Sequence, residues 1–303
     1  MRAHHRFARY WISILSLTLM TLAVVSSSQN GLATAAPIAT STTEPSSASV
    51  TPSFAADNID VLAAIATSQV IYLGETHTDL NDHLAQLEII KALAGQGHIA
   101  IGLEMFQRPF QSVLDSYLAD EITETALIEQ SEYETRWGYN WEFYAPIIRY
   151  AKENQISLIA LNTPTEVTRQ VAQGGLASLS EDALTYIPPI DEIDTTDTAY
   201  RDAIAAVFSA HGGAGHSLAF ENFFAAQVLW DETMAQRIVT QLKANPEKQV
   251  IVLVGEGHIA YDYGIPDRVE RRIPDVTQAS VRLVPSTQEV EPEFADFLWI
   301  TPE

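Results

Sequence analysis

The sequence predicts an α/β fold: a single domain with a mostly parallel central sheet and helices on both of its faces. Three observations carry that expectation. Short runs rich in Val, Ile and Leu alternate with longer stretches of helical spacing, the order that builds strand-helix-strand crossovers. Two of the runs, Val70 to Leu73 and Val250 to Val254, end in the same device, Gly74-Glu75-Thr76-His77 and Gly255-Glu256-Gly257-His258. Apolar residues make up 47% of the 303, enough for one sizeable core.

Taken in order, the chain opens with Arg2, Arg6 and Arg9 ahead of an apolar run from Tyr10 to Val25, with small residues at Ala33-Thr34-Ala35-Ala36. Residues 1–36 therefore read as a secretory signal peptide. Ser13, Ser16, Thr18 and Thr21 interrupt a run already short for a membrane span, so membrane contact is expected only through an uncleaved signal. The product is expected to be exported, periplasmic or otherwise extracytoplasmic, and soluble after cleavage. There is no cysteine, which excludes a lipoprotein anchor and disulfides. Residues 37–57 are dominated by Ser, Thr, Ala and Pro and read as a flexible linker, leaving 58–303 as the domain.

After the first strand, Thr78 or Asp79 caps a helix over 79–94, carried by Leu80, Leu84, Leu87 and Ile90. Gly95-Gln96-Gly97 breaks it, and His98 to Phe106 forms a second strand with Glu104 at its carboxyl end. Residues 107–153 carry helical spacing and aromatics, with Trp137 and Trp141 expected in the core and Pro146 at a first turn. Ile156 to Leu161 is the third strand, ended by Asn162-Thr163-Pro164. The segment around Asp191 to Asp197 reads as an acidic surface loop. A helix over 196–210 leads to the glycine-rich bend holding His211 and His216, which is either a linker or a ligand pair. The longest helix, 217–244, is apolar over so wide an arc that it must pack centrally, with Trp230 in the core. The fourth strand delivers Glu256 and His258. A basic helix with Arg268, Arg271 and Arg272 follows, expected as a solvated helix end, and 281–284 and 297–300 close the sheet.

Charge narrows the partners. With 39 acids against 17 bases the formal net charge is −22, which argues against nucleic acid and anionic lipid and leaves a small molecule. Right-handed crossovers would place the carboxyl ends of the first four strands on one edge, where open α/β sheets hold ligands. Glu75, His77, Glu104 and His258 are thus expected to converge, with Glu256, Asn162 and His83 around them. Two imidazoles and two carboxylates suit two chemistries. His77, Glu104 and His258 could hold a divalent metal ion. Alternatively, a carboxylate-oriented histidine could serve as a base. Spacing does not choose between them. Each residue also has a plainer reading: Glu104 as a buried acid paired with Arg108, His83 as a solvated or capping side chain, Tyr261 and Tyr263 as phenols bonded to backbone near the same edge. Dinucleotide, Walker A, Gly-x-Ser-x-Gly and His-Glu-x-x-His motifs are absent.

Leu73-Gly74-Glu75-Thr76-His77-Thr78, Leu103-Glu104-Met105-Phe106, Trp141 to Pro146, Asn162-Thr163-Pro164, Ala226 to Ala235 and Gly255 to Pro266 together resemble the ChaN-like proteins of the haem-binding uptake and Tiki superfamily. The resemblance runs from about Asn58 to the end of the chain. It implies an α/β domain, haem held at a homodimer interface by a tyrosine, for which Tyr261 and Tyr263 are candidates, and a place in iron uptake. His211 and His216 join them as candidates for binding the cofactor. The erythromycin esterase branch of that superfamily uses paired Glu and His positions for hydrolysis, and its Tiki branch is metal-dependent. Those positions correspond here to Glu75, His77, Glu104 and His258, so a hydrolase is the alternative expectation.

Overall fold

The computed structural model describes residues 56–210 and 217–302. The signal peptide, nearly all of the linker, His211 and His216 lie outside the described residues. Six strands form one sheet: β1 (Val70–Glu75), β2 (Ile99–Gln107), β3 (Ser157–Asn162), β4 (Gln249–Gly255), β5 (Gln278–Pro285) and β6 (Phe297–Thr301). All neighbours are parallel, in the order β3-β2-β4-β1-β5-β6.

The strands are apolar throughout because both faces are covered. Ile71, Leu73, Ile101, Leu103, Ile251 and Leu253 point to one layer, where α1 (Ala56–Ile65), α2 (Leu80–Ala94), α3 (Gln111–Leu118) and α6 (Trp141–Glu153) pack. Val70, Tyr72, Ala100, Val250, Val252 and Val254 point to the other, against Met234, Ile238 and Leu242 of α10 (Leu218–Ala244) and Val269 of α11 (Ile265–Arg272). A satellite core lies where α7 (Thr165–Gly174) and α9 (Thr198–Ala210) meet the first half of α10, around Val171, Tyr200, Phe220 and Phe224. Each of these fully buried side chains contributes about 1.5–3 kcal/mol of transfer free energy. Two short helices, α4 (Glu124–Gln130) and α5 (Tyr133–Arg136), lead into α6, and α8 (Glu181–Leu184) follows α7. Among the described residues no helix is long and apolar enough to cross a membrane.

Caps fall where the side chains predict. Asp79 accepts from the Asn81 amide to start α2, and Ser217 accepts from Phe220 to start α10. Pro146 differs from its expected first-turn place: it lies well inside α6. The basic helix is also different. Arg268 is only 1% exposed, and the fully buried Glu232 of α10 takes Arg271 at 2.6 Å, Arg272 at 2.7 Å and Arg268 at 3.5 Å. Helices α10 and α11 cover the same sheet face, and a carboxylate buried between them requires cations beside it.

The order of strands decides where chemistry sits. The chain passes from β1 over one position to β2, goes on to the edge at β3, then returns to insert β4 between β2 and β1. The carboxyl ends of β2, β4 and β1 therefore stand side by side at the point where the winding reverses.

Candidate active site

The two Gly-Glu-x-His turns interlock through their glycines. A Cβ at Gly74 would lie 2.5 Å from Ile259 Cδ1 and 3.2 Å from Glu256 Cα; one at Gly255 would lie 2.9 Å from both Cε1 and Nε2 of His77. Each glycine is the surface against which the other turn rests. Gly255→Ala is therefore expected to displace the His77 ring and to destabilise the protein by about 1–3 kcal/mol. Urea unfolding checks it, and unchanged stability would show that the His77 ring gives way without cost.

Glu75 ends β1 at 1% exposure and is saturated with partners. Its Oε1 accepts from His77 Nδ1 at 2.8 Å and from the Tyr144 hydroxyl at 2.5 Å, and its Oε2 accepts from Gln86 Nε2 at 2.6 Å. His83 is 3.5 Å from the same Oε2, within reach of Gln86 and the His77 carbonyl, and 2% exposed, so it is neither solvated nor a cap. Burial alone would raise Glu75; the histidines His83 and His77 and the Tyr144 hydroxyl outweigh it and lower the carboxyl to about 2.

Glu104 leaves the sheet at a slip in register. Pairing of β2 with β4 stops at Leu103 opposite Leu253, and the β2–β3 register shifts between Leu103 and Gln107. Glu104 Oε2 accepts from the Gly255 amide at 2.7 Å, Oε1 lies 3.4 Å from His258 Nε2, and its carbonyl accepts from Asn162 Nδ2 at 2.9 Å. Burial opposes ionisation of Glu104, yet His258, His77 and the Gly255 amide hold its carboxyl below the ordinary carboxylate range. The plainer pairing with Arg108 does not occur. That guanidinium bonds Thr233 O, Gln236 and the Tyr186 carbonyl.

His258 lies between two acids. Its Nδ1 donates to Asp231 Oδ1 at 2.6 Å, with Gln227 Nε2 at 3.3 Å from the same nitrogen, while Nε2 faces Glu104. Asp231 is fully buried and its other oxygen accepts from the Tyr200 hydroxyl at 2.7 Å. Burial would depress the imidazole, but Glu104 and Asp231 raise it to about 10. His77 is likewise raised against burial, by Glu75 and Glu104. The His258 ring therefore carries a proton on each nitrogen at neutral pH. Glu256 belongs to a different pair, 2.5 Å from Arg282 Nε.

A small cavity of about 60 Å³ opens against Glu104, Trp137 and Trp230. Trp137 meets the His77 ring edge-on at 4.8 Å and Trp230 meets that of His258 at 6.2 Å, so these tryptophans, expected in the core, stand in the cavity wall with the two histidines against them. The arrangement can activate a water on Glu104 and supply a proton from His258. Among the described residues no three histidine, cysteine or acidic side chains are placed to hold one metal ion; His258 Nε2 stands 3.4 Å from Glu104 Oε1, and Glu104 Oε2 is turned to the Gly255 amide.

Tyr261 and Tyr263 are not with this group. They line a separate cavity of about 490 Å³ behind Tyr200, with Asp197, Asp262, Asp267, Glu270 and Asp296 in its walls, and the Tyr261 hydroxyl donates to Glu291. Asp231, Tyr144 and Gln86 are site residues that sequence reasoning left aside. The available signal was Gln227 and Asp231, four apart in an otherwise apolar helix, where a buried acid requires a partner.

The family described as haem-binding uptake, Tiki superfamily, ChaN, matches residues 61–269. The structure is similar to that of ChaN of Campylobacter jejuni, reported for cofacial haem binding, with a TM-score of 0.65 and 18% identity over 81% of this chain and 92% of that one. A mutant erythromycin esterase, EreC, in its open conformation aligns with a TM-score of 0.46 and 16% identity over 80% and 78% of the two chains. In sequence, the chain is 27% identical over 268 residues to the chloroplastic protein RETICULATA-RELATED 5 of Arabidopsis thaliana, covering 80% of this chain but only 35% of that protein.

Proposed function

The chain belongs to the family of haem-binding uptake proteins, Tiki superfamily, ChaN, and on that premise we propose that it is a hydrolase of esters or amides that works by acid-base chemistry at the Glu104 cavity. One observation supports this reading above the others. Asp231, His258 and Glu104 form a continuous line of bonds and close contacts that ends on a cavity with room for water and a reacting group. Glu104, ionised, takes a proton from the attacking water. His258 Nε2, 3.4 Å from Glu104 Oε1, gives its proton to the leaving oxygen or nitrogen, and its positive charge beside Glu104 favours the oxyanion formed at the carbonyl carbon. Asp231 and Glu75 keep each ring in place through Nδ1. Incubating residues 58–303 with a panel of activated esters and amides tests the reading. Turnover above background that survives a chelator supports it, and no turnover on any member defeats it.

Haem handling is the second reading, favoured by family membership and by the cofacial haem of the Campylobacter jejuni protein. The residues around the two cavities do not fit a haem. The Glu104 cavity is far smaller than the macrocycle, and the larger one presents five carboxylates to the propionates. Burial and Glu291 also push the Tyr261 phenol up, away from the phenolate that would ligate iron. This reading places the haem outside these two cavities. Export after cleavage of residues 1–36 accompanies either reading, supported by the arginines, apolar run and small residues of that segment. Hemin titration with size-exclusion chromatography separates the two: a saturable Soret shift with dimerisation supports haem handling.

A further inference from the structure

We infer that the cavity beside Glu104 holds a carboxylate group of the substrate, so that the molecules cleaved are esters or amides carrying a second, ionised carboxyl close to the scissile bond. The inference rests on the hydrolytic reading and names its substrate class. It starts from Thr163, which is 1% exposed, lines the cavity and has a hydroxyl oxygen with no hydrogen-bond partner among the described residues. A buried hydroxyl without a partner is costly, and a ligand atom in the cavity would relieve it. On the same walls stand two arginines, Arg136 and Arg169. Arg136 spends Nε on Glu132 and Nη1 on Gln107 and Glu166, leaving Nη2 without a bond among the described residues. Arg169 is solvent-exposed; it feels the charge of Glu166 but makes no hydrogen bond or ion pair among the described residues.

These groups are brought together by β3 and α7. Thr163 follows the last residue of β3, and Arg169 stands in the second turn of α7, whose amino end carries partial positive charge. Against them stands Glu104, the one carboxylate in the cavity wall, which would repel an anion placed next to it. The substrate carboxylate therefore belongs at the arginine side and the scissile carbonyl at the Glu104 side. Arginine suits the task because its planar fork matches a carboxylate in two parallel bonds, and the small cavity favours that flat group.

The test compares 4-nitrophenyl hydrogen glutarate with 4-nitrophenyl pentanoate on the full chain, corrected for spontaneous hydrolysis, and measures the melting temperature with and without glutarate. The charged ester should be favoured by about tenfold or more in kcat/KM, chiefly through KM. Arg169→Ala and Thr163→Val should shrink the ratio between the two esters, Arg169→Lys should restore part of it, and glutarate should raise the melting temperature of the unmodified protein but not of Arg169→Ala. Hydrolysis of both esters with equal kcat/KM and no shift with glutarate overturns the carboxylate subsite alone. A glutarate shift that depends on Arg169 without hydrolysis of either ester supports the subsite and overturns the hydrolytic reading. Absence of both results overturns both.

Discussion

His258→Gln is expected to lower kcat for the proposed hydrolysis by about 10²–10⁴-fold, the range for losing a positioned acid. Asp231→Asn is expected to cost nearly as much, although it never touches substrate. The amide has one accepting oxygen where the carboxylate has two, for His258 Nδ1 and the Tyr200 hydroxyl, and it carries no charge, so the ring loses the group that fixes its orientation and keeps it charged. Because the two residues act as a unit, the double variant should be little worse than either single one. The pH profile distinguishes a proton donor from a mere structural support. With His258 raised to about 10, activity of the unmodified protein should hold through neutral pH and fall as the pH climbs through that value, while the acid limb lies below the ordinary carboxylate range because Glu104 is held down. In Asp231→Asn the alkaline limb should move to lower pH. Stopped assays from pH 4 to pH 11, with near-ultraviolet circular dichroism to confirm folding, check these expectations, and an unchanged kcat in His258→Gln defeats the proposed mechanism.

Glu75→Ala should be the most destabilising of the substitutions considered, by about 3–5 kcal/mol in urea unfolding. Removing the carboxylate leaves His77 Nδ1 and the Tyr144 hydroxyl buried without that acceptor, and Gln86 Nε2 with only the longer bond to the Leu73 carbonyl at 3.4 Å, at the junction of β1, α2 and α6. For a domain of this size the melting temperature should drop by about 6–20 °C. The same network sets the dependence of stability on pH, and the signs follow from each group. Glu75 is lowered from 4.5 to about 2, so its contribution is present above pH 4.5 and is lost as pH falls through 2. His258 is raised from 6.5 to about 10, so its contribution is present below pH 6.5 and is lost as pH rises through 10. Asp82, buried at the start of α2 with one oxygen on the Thr76 amide, is raised by burial from 3.8 to about 8, and its ionisation takes away stability between those values. Stability should therefore be greatest near pH 3.8–4.5 and decline above it, and Asp82→Asn should flatten the decline toward pH 8. A melting temperature constant from pH 5 to pH 10 would contradict the Asp82 and His258 assignments, and one constant from pH 2 to pH 4.5 would contradict that of Glu75.

Much of this was readable in the chain itself. Unbroken Val, Ile and Leu runs could only be strands covered on both faces. Glycine followed by an acid and a histidine, twice, marked the ends of β1 and β4, and Glu104 inside an apolar run marked a carboxylate that the fold must satisfy. These are local signals, because strand burial and turn chemistry are written within a few residues. Partnership is not. Asp231 reaches His258 only because α10 crosses the sheet over β4, and Tyr144 reaches Glu75 only because α6 packs against α2. Tyr261, three residues after His258, faces another cavity because a residue with φ +56° turns the chain away. The sequence by itself determined the sheet, its helices and which acids and imidazoles stand at the strand ends. Only the tertiary structure decided which of them pair, which are charged and what faces the cavity, since a hydrogen bond depends on distance in space and closeness along the chain does not supply it.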